Sequence, residues 1–257
     1  MTQDKKRQYL ITELLKERSE YADISISKDS AEQKKLLRAL FNVRLPLPIS
    51  DDFLMVQDEY LQDEIAQKGI TSIDDLDPIK PDIYLWQGDI TTLKCDAIVN
   101  AANSQMLGCF CPNHGCIDNA IHTFSGVQLR LKCAEIMKSQ GKDEETGTAK
   151  ITPAYNLPCK YILHTVGPIV TGKLTEKDCE CLCSCYRSCL ALADEYKLNS
   201  IAFCCISTGE FHFPNDKGAK IAIETVGKYK RLTNSKIKVI FNVFKNSDYE
   251  IYRAYLG

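Results

Sequence analysis

Before residue 82, apolar residues recur at helical spacing. Ile11, Leu14 and Leu15 form one stripe, and Leu36, Leu37, Leu40 and Phe41 form a second. Phe53, Val56, Tyr60 and Leu61 form a third, entered through Ser50 and Asp51 as caps. The segment LPLPIS separates the last two, because proline cannot continue a helix interior. No β-rich run precedes residue 82, so residues 1–81 read as a helical extension. Each stripe needs a surface to cover, so the extension is expected to pack on the rest of the chain. Asp77, Pro78 and Pro81 mark the boundary.

From residue 82 the period changes. Runs at Ile83–Trp86, Ala97–Val99, Thr148–Thr152, Tyr161–Thr165, Ile201–Ile206 and Lys238–Phe244 read as strands. Several are apolar throughout, as strands buried on both faces are. Helical patterns lie between them. One begins near Ile117 and places Ile121, Phe124 and Leu131 on one face; a second covers Glu176–Tyr196. A third carries Ala219, Ala222, Ile223 and Val226, and a short last one follows Ser247. The alternation predicts an α/β domain over residues 82–257, its sheet covered by helices on both faces.

Charge narrows the range of partners. With 32 basic and 34 acidic residues the net charge is −2, so no global field draws the chain to nucleic acid or anionic lipid. Lys228, Lys230 and Arg231 read as the solvated end of a helix. No signal peptide opens the sequence, and no run approaches the ~18 apolar residues that span a bilayer. The 13 cysteines, an odd number without a secretion signal, suggest reduced thiols and a cytoplasmic setting. Cys179, Cys181, Cys183, Cys185 and Cys189 alternate along a helical stretch and read as small core residues.

The most informative stretch is Gly108-Cys109-Phe110-Cys111-Pro112-Asn113-His114-Gly115-Cys116. Cys109, His114 and Cys116 give C-x4-H-x-C in a loop that Pro112 and Gly115 keep non-helical. Two thiolates and an imidazole suit one Zn²⁺, and three protein ligands leave an open position. Cys111 is a further thiol that spacing alone leaves available.

Three more segments fall where an α/β protein places a ligand, at the carboxyl ends of strands. They are Gly88-Asp89-Ile90-Thr91, Asn100-Ala101-Ala102-Asn103, and Ser207-Thr208-Gly209-Glu210-Phe211-His212-Phe213-Pro214. Small residues there let backbone N–H groups face an anion. Singly, each reads as readily as a turn or a cap. Asp118 likewise suits a helix start, and His122 and His164 read as core histidines.

In combination, GDIT, DAIVNAAN, IDNAIH and ISTGEFHFP resemble the macrodomain family over about residues 82–257. GCFCPNHGC stands where most members carry a glycine run. It resembles the zinc-dependent branch, whose members also have a helical N-terminal extension. The resemblance implies a three-layer α/β/α sandwich around a mixed sheet, with an ADP-ribose cleft. It implies Cys109, His114 and Cys116 as ligands of a zinc ion and places Cys111 at a variable position. It implies that Asp89, with Ile90, meets the adenine amino group. Gly108, Ser207, Thr208, Gly209, Glu210 and Phe211 enclose the diphosphate and distal ribose, with Phe213 beside that ribose. Asn100 and Asn103 lie near the same sugar, and Asp118 activates water. His212 replaces a common glycine and is expected either to crowd the ribose, to approach the metal, or to be a plain loop residue.

The resemblance further implies a hydrolase that removes mono-ADP-ribose from a modified protein, through an ester to Asp or Glu. A lipoyl carrier protein, modified by a sirtuin-like transferase, fits that branch as substrate. A binding module that reads ADP-ribose without cleaving it, and a deacylase of O-acyl-ADP-ribose, are the alternatives.

Overall fold

The computed structural model describes residues 1–257. Its first three helices are α1 (Gln3–Lys16), α2 (Ser30–Val43) and α3 (Asp51–Lys68). Each begins on a residue whose oxygen accepts from an orphan amide of the first turn: Thr2 from Lys5, Asp29 from Glu32, and Ser50 from Phe53. The chain then runs through β1 (Thr71–Ser72), β2 (Ile83–Gln87), β3 (Leu93–Lys94), β4 (Ala97–Ala102), α4 (Ile117–Ser125) and α5 (Val127–Gln140). It continues with β5 (Ala149–Pro153), β6 (Tyr161–Val166), α6 (Glu176–Glu195), β7 (Ser200–Phe203), α7 (Asn215–Thr233), β8 (Lys238–Val243) and α8 (Asn246–Leu256).

Six strands form the main sheet in the order β2-β8-β7-β4-β6-β5. All neighbours are parallel except β5, which pairs antiparallel with β6, so the sheet is mixed. Ile98, Val99, Ile162, Leu163, Ile201, Val239 and Ile240 are fully buried, as apolar strands covered on both faces require. Helices α6, α7 and α8 pack side by side as one outer layer, and α4 with α5 belongs to the other. The architecture is a three-layer α/β/α sandwich.

Three expectations change on inspection. The helix from Ile117 breaks at Gly126, whose φ of +98° favours glycine. A Cβ there would lie 2.6 Å from Gln57 Nε2 and from Gln128 Oε1. Ile121 and Phe124 therefore lie on α4 and Leu131 on α5. The strand over Ile201–Ile206 stops at Phe203, freeing Cys204–Ile206 to lead into a loop. Residues before 82 do contribute a strand: β1 pairs parallel with β3. Two residues are too short to leave a period in the sequence.

The extension has its own core of Leu10, Ile11, Leu14, Leu37, Leu40, Phe41, Phe53, Val56, Tyr60 and Leu61, joined by Val127 of α5. Polar side chains at the seam fix its angle. Asn42 Nδ2 donates to Thr123 Oγ1 at 2.9 Å, and the Val127 amide donates to Gln57 Oε1 at 2.9 Å. The predicted stripes thus cover one another and the α4–α5 layer.

Candidate active site

Parallel strands β2, β4, β7 and β8 deliver their carboxyl ends to one side of the sheet. The loops that follow enclose a cleft of about 1020 Å³. Asp89, Ile90, Asn103, Gly108, Asp118, Ser207, Thr208, Gly209, Glu210 and Phe211 line it, together with Cys109, His114 and Cys116. Segments far apart in sequence are thereby brought to one concavity.

Asp89 follows β2 and caps the turn Ile90–Thr92. Its Oδ1 accepts from the Thr91 amide at 3.0 Å and the Thr91 hydroxyl at 2.6 Å, while Oδ2 accepts from Lys68 Nζ at 2.9 Å. Burial acts upward on this carboxyl, but the Thr91 and Lys68 contacts outweigh it and hold it below the usual range. Asn242 on β8 braces the same turn, its Nδ2 donating to the Gly88 carbonyl at 3.0 Å.

Asn103 builds the loop after β4. Its Oδ1 accepts from the amides of Gln105 and Met106, each at 3.1 Å, and its Nδ2 donates to the Gly108 carbonyl at 3.2 Å. Gly108 has φ +80°, and a Cβ there would stand 2.7 Å from the His122 ring. Only glycine fits this conformation and this contact.

The loop then presents Cys109, His114 and Cys116, whose ligand atoms all lie within 4.8 Å of one another. A tetrahedral cation with bonds of about 2.3 Å to sulfur and 2.05 Å to nitrogen holds such a pair about 3.6 Å apart. The separation of Cys109 Sγ and His114 Nδ1 is 3.6 Å. Cys116 caps α4, its Sγ accepting from the Asn119 amide at 3.5 Å. Burial pushes its thiol up to about 12, only partly offset by that amide, a cost that a bound cation reverses by stabilising thiolate. The donor set therefore fits a divalent metal. Cys111 is exposed and stands outside the triad, and Glu210 Oε1 comes to 3.6 Å from His114 Nε2.

Asp118 lies two residues beyond the triad, on the cleft wall yet buried. Burial raises its carboxyl to about 6, against the Asn100 hydrogen bond and the Arg130 charge. Asn100 Nδ2 donates to Asp118 Oδ1 at 2.8 Å and to His164 Nδ1 at 3.2 Å. His122 Nε2 stands 3.5 Å from the same carboxylate oxygen. This is no ion pair, because burial drives the imidazole well below its ordinary value and keeps it neutral. His164 is lowered to about 3 by burial and accepts as a neutral ring.

The last loop is held by its own backbone. The Phe213 amide donates to the Ser207 carbonyl at 2.9 Å, and the His212 amide to the Gly209 carbonyl at 3.0 Å. Ser207 adopts φ +64°, a conformation that costs a non-glycine residue about 1 kcal/mol or more. Its buried hydroxyl has no partner within the chain and packs against Gly167, where an added Cβ would stand 2.0 Å from it.

Some expected residues sit elsewhere. Asn100 is fully buried, its amide engaged by Asp118 and His164 and not presented to the cleft. Phe213 belongs to the core beneath α7, with 1% of its surface exposed, and leaves the aromatic wall to Phe110, Phe124, Phe211 and Phe244. His212 is exposed and does not line the cleft. Cys185 and Cys189 are buried in the core, and the α6 thiols do not converge on one point.

Other cleft residues carry no local sequence signal. Arg38 and Lys68 come from the extension, and Phe124 doubles as a helix-face residue. Phe244 alone left a trace: it ends an apolar run yet is 75% exposed beyond β8, offering a flat apolar face to the cleft.

A macro domain family model matches residues 99–222. A protein-ADP-ribose hydrolase of Treponema medium is 57% identical over the whole of both chains. One from Staphylococcus aureus (strain MSSA476) is 53% identical, covering 96% of this chain and 93% of that protein. A Trypanosoma brucei macrodomain in complex with ADP-ribose superposes with a TM-score of 0.67 at 28% identity, covering 90% of this chain and 97% of that one. The chain belongs to the macrodomain family.

Proposed function

We propose that the chain is a protein-ADP-ribose hydrolase that removes mono-ADP-ribose from a modified side chain, an ester of Asp or Glu. The relatives' activity supports this reading, as does the Trypanosoma brucei complex with ADP-ribose in the same fold. The observation that carries it is Asp118, a buried carboxyl raised to about 6 on the wall of the cleft, beside three convergent metal donors. A pure reader of ADP-ribose needs neither group.

In this reading residues 1–81 complete a cleft carried by residues 82–257. Asp89 accepts the amino group of adenine, and a carboxylate acceptor there disfavours a 6-oxo base. Ser207–Phe211 enclose the diphosphate and distal ribose, with Gly108 allowing close approach. Binding energy remote from the reacting carbon thus orients the sugar. Asp118 takes one proton from a water on an Oδ atom while the water oxygen bonds the anomeric carbon. The bond from that carbon to the ester oxygen breaks, and the acceptor leaves as a carboxylate needing no proton. Asn100 keeps Asp118 in place, and Asn103 shapes the loop that faces the sugar. Cys109, His114 and Cys116 would hold one zinc ion, which when bound supplies Lewis-acid polarisation of a substrate oxygen.

A lipoyl carrier protein modified by a sirtuin-like transferase is the substrate we assign by family resemblance. The test is to incubate the chain with an acceptor mono-ADP-ribosylated on a carboxylate and measure free ADP-ribose. Release is expected, with Asp118→Asn slowing it by roughly 10²–10⁴-fold. Tight ADP-ribose binding without release would favour a reading module. Faster cleavage of free O-acyl-ADP-ribose would favour a deacylase.

A further inference from the structure

The extension sends two side chains into the cleft, and both are cations: Arg38 of α2 and Lys68, the last residue of α3. Arg38 is engaged by the metal loop. It donates to the His114 carbonyl at 2.9 Å and to Asn119 Oδ1 at 2.8 Å. Lys68 stands at the other end. Its Nζ lies 2.9 Å from Asp89 Oδ2 and 3.4 Å above the centroid of the Phe124 ring. The end of α3, the turn after β2 and the face of α4 therefore meet at one ammonium.

The two oxygens of Asp89 are not equivalent. Oδ1 is held by the amide and hydroxyl of Thr91. Oδ2 remains for the cleft, and Lys68 sits on it. An ionised carboxylate offers about two acceptor directions per oxygen, so an amine arriving from the cleft can share Oδ2 with Lys68. The aromatic face below fixes where the ammonium stands, and the carboxyl end of α3 favours a cation there. Two partners on one oxygen and two on the other leave the carboxylate a single orientation.

Charge points the same way. The cleft wall carries Asp89, Asp118, Glu210 and Asp248 against Arg38, Lys68 and Lys245. Without the extension's two cations, a diphosphate would enter a site with four acids and one base.

The geometry points to Lys68 as a positioning residue for the base end of the cleft, fixing the Asp89 carboxylate so that Oδ2 faces an exocyclic amine. This rests on the reading of the cleft as an ADP-ribose site. Lys68 acts through Asp89, and the helical extension is thereby part of the recognition apparatus. Of the other groups near this end, the Thr91 contacts are neutral, and Lys245 and Asp248 form no ion pair with Asp89. Lys68 is the charged contact that separates the ionised from the protonated carboxyl.

The test is titration of the full chain with ADP-ribose from about pH 3.5 to pH 8, comparing wild type, Lys68→Met, Lys68→Arg and Asp89→Ala. Methionine keeps the apolar stem over Phe124 and removes the charge. Lys68→Met is expected to weaken binding by about 3- to 10-fold at neutral pH. Its affinity should also fall at higher pH than wild type on acidification, because Asp89 without the ammonium protonates sooner. Lys68→Arg should restore most of both. Wild-type affinity and an unmoved acid limb in Lys68→Met would overturn the proposal, and so would tighter binding, which would make Lys68 a competitor of the base. If Asp89→Ala binds normally as well, the assignment of the cleft end itself fails. If Asp89→Ala weakens binding and Lys68→Met does not, only the role of Lys68 falls.

Discussion

Asn100 Nδ2 donates to Asp118 Oδ1 at 2.8 Å from a position with no exposed surface. The same amide reaches His164 Nδ1 at 3.2 Å, and His164 Nε2 lies 2.9 Å from Thr152 Oγ1. A neutral ring that accepts at Nδ1 carries its proton on Nε2 and donates to the threonine. The relay fixes the Asn100 amide and leaves its Oδ1 without a partner. A buried oxygen left unbonded costs free energy, and here the return is one defined position for the carboxylate on the cleft wall.

Asn100→Ala is therefore expected to act on turnover more than on binding. Asp118 would lose its donor and its orientation, so kcat should fall about 10- to 100-fold while KM moves by less than about threefold. Single-turnover release of ADP-ribose and a binding titration separate the two. An unchanged kcat would remove Asn100 from the positioning of Asp118.

Metal removal tests the triad directly. Cys109, His114 and Cys116 converge within 4.8 Å, so the wild-type chain should carry about one zinc ion by elemental analysis. Cys116→Ser should lose the ion and activity together, and a chelator should do the same reversibly. Because Cys116 also caps α4, thermal unfolding of the variant must be measured alongside. A folded, metal-free chain with full turnover would remove zinc from the reaction.

Local placement was legible where a motif is contiguous. The ligand spacing, the Asp89 turn and the Ser207–Phe211 loop are each built from neighbours in sequence, and the structure gathers them around one cleft. What stayed hidden depends on tertiary packing. Lys68 reaches Asp89 across 21 positions, and Arg38 reaches Asn119 across 81, with nothing local to mark either. The burial of Phe213 is hidden for a related reason: the sequence shows an aromatic in a loop, but not which way the backbone turns. The turn at Ser207 and His212, both with positive φ, sends Phe213 inward. The break at Gly126 was masked because Ile121, Phe124 and Leu131 continue a helical period across it.

Arg130 tests how firmly the extension and the site loop depend on each other. Its guanidinium is buried and donates to the carbonyls of Phe41, Asn42 and Arg44 beyond and at the end of α2, and to Leu107 at 2.6 Å. It also lies 4.2 Å from the Phe110 ring centroid. Burial lowers it to about 10, so it remains charged at neutral pH. Arg130→Met would leave several buried carbonyls without donors and should destabilise the chain by roughly 2–4 kcal/mol. Urea unfolding measures this, and a loss below about 0.5 kcal/mol would mean that water or repacking replaces the contacts.

Asp96, just before β4, makes an acid-sensitive clasp. Its Oδ2 accepts from the Asn199 amide at 2.6 Å and its Oδ1 lies 2.7 Å from Lys160 Nζ. Burial acts upward on the carboxyl, but these partners outweigh it and hold it below the usual range. A carboxyl depressed by folding stabilises the native state above its unfolded value of about 3.9, and that contribution fades as pH falls through the folded value. Asp96→Asn should therefore cost about 1–2 kcal/mol at neutral pH, and the gap to wild type should close on acidification. Lys160 is exposed, so most of the effect belongs to the bond with the Asn199 amide and should survive added salt. Urea midpoints at pH 7 and in steps from about pH 4 down to about pH 2.5, through and below the unfolded value, with and without salt, give the comparison. A gap that stays constant across this range would show that the charge on Asp96 contributes nothing to tying the loop before β7 to β4.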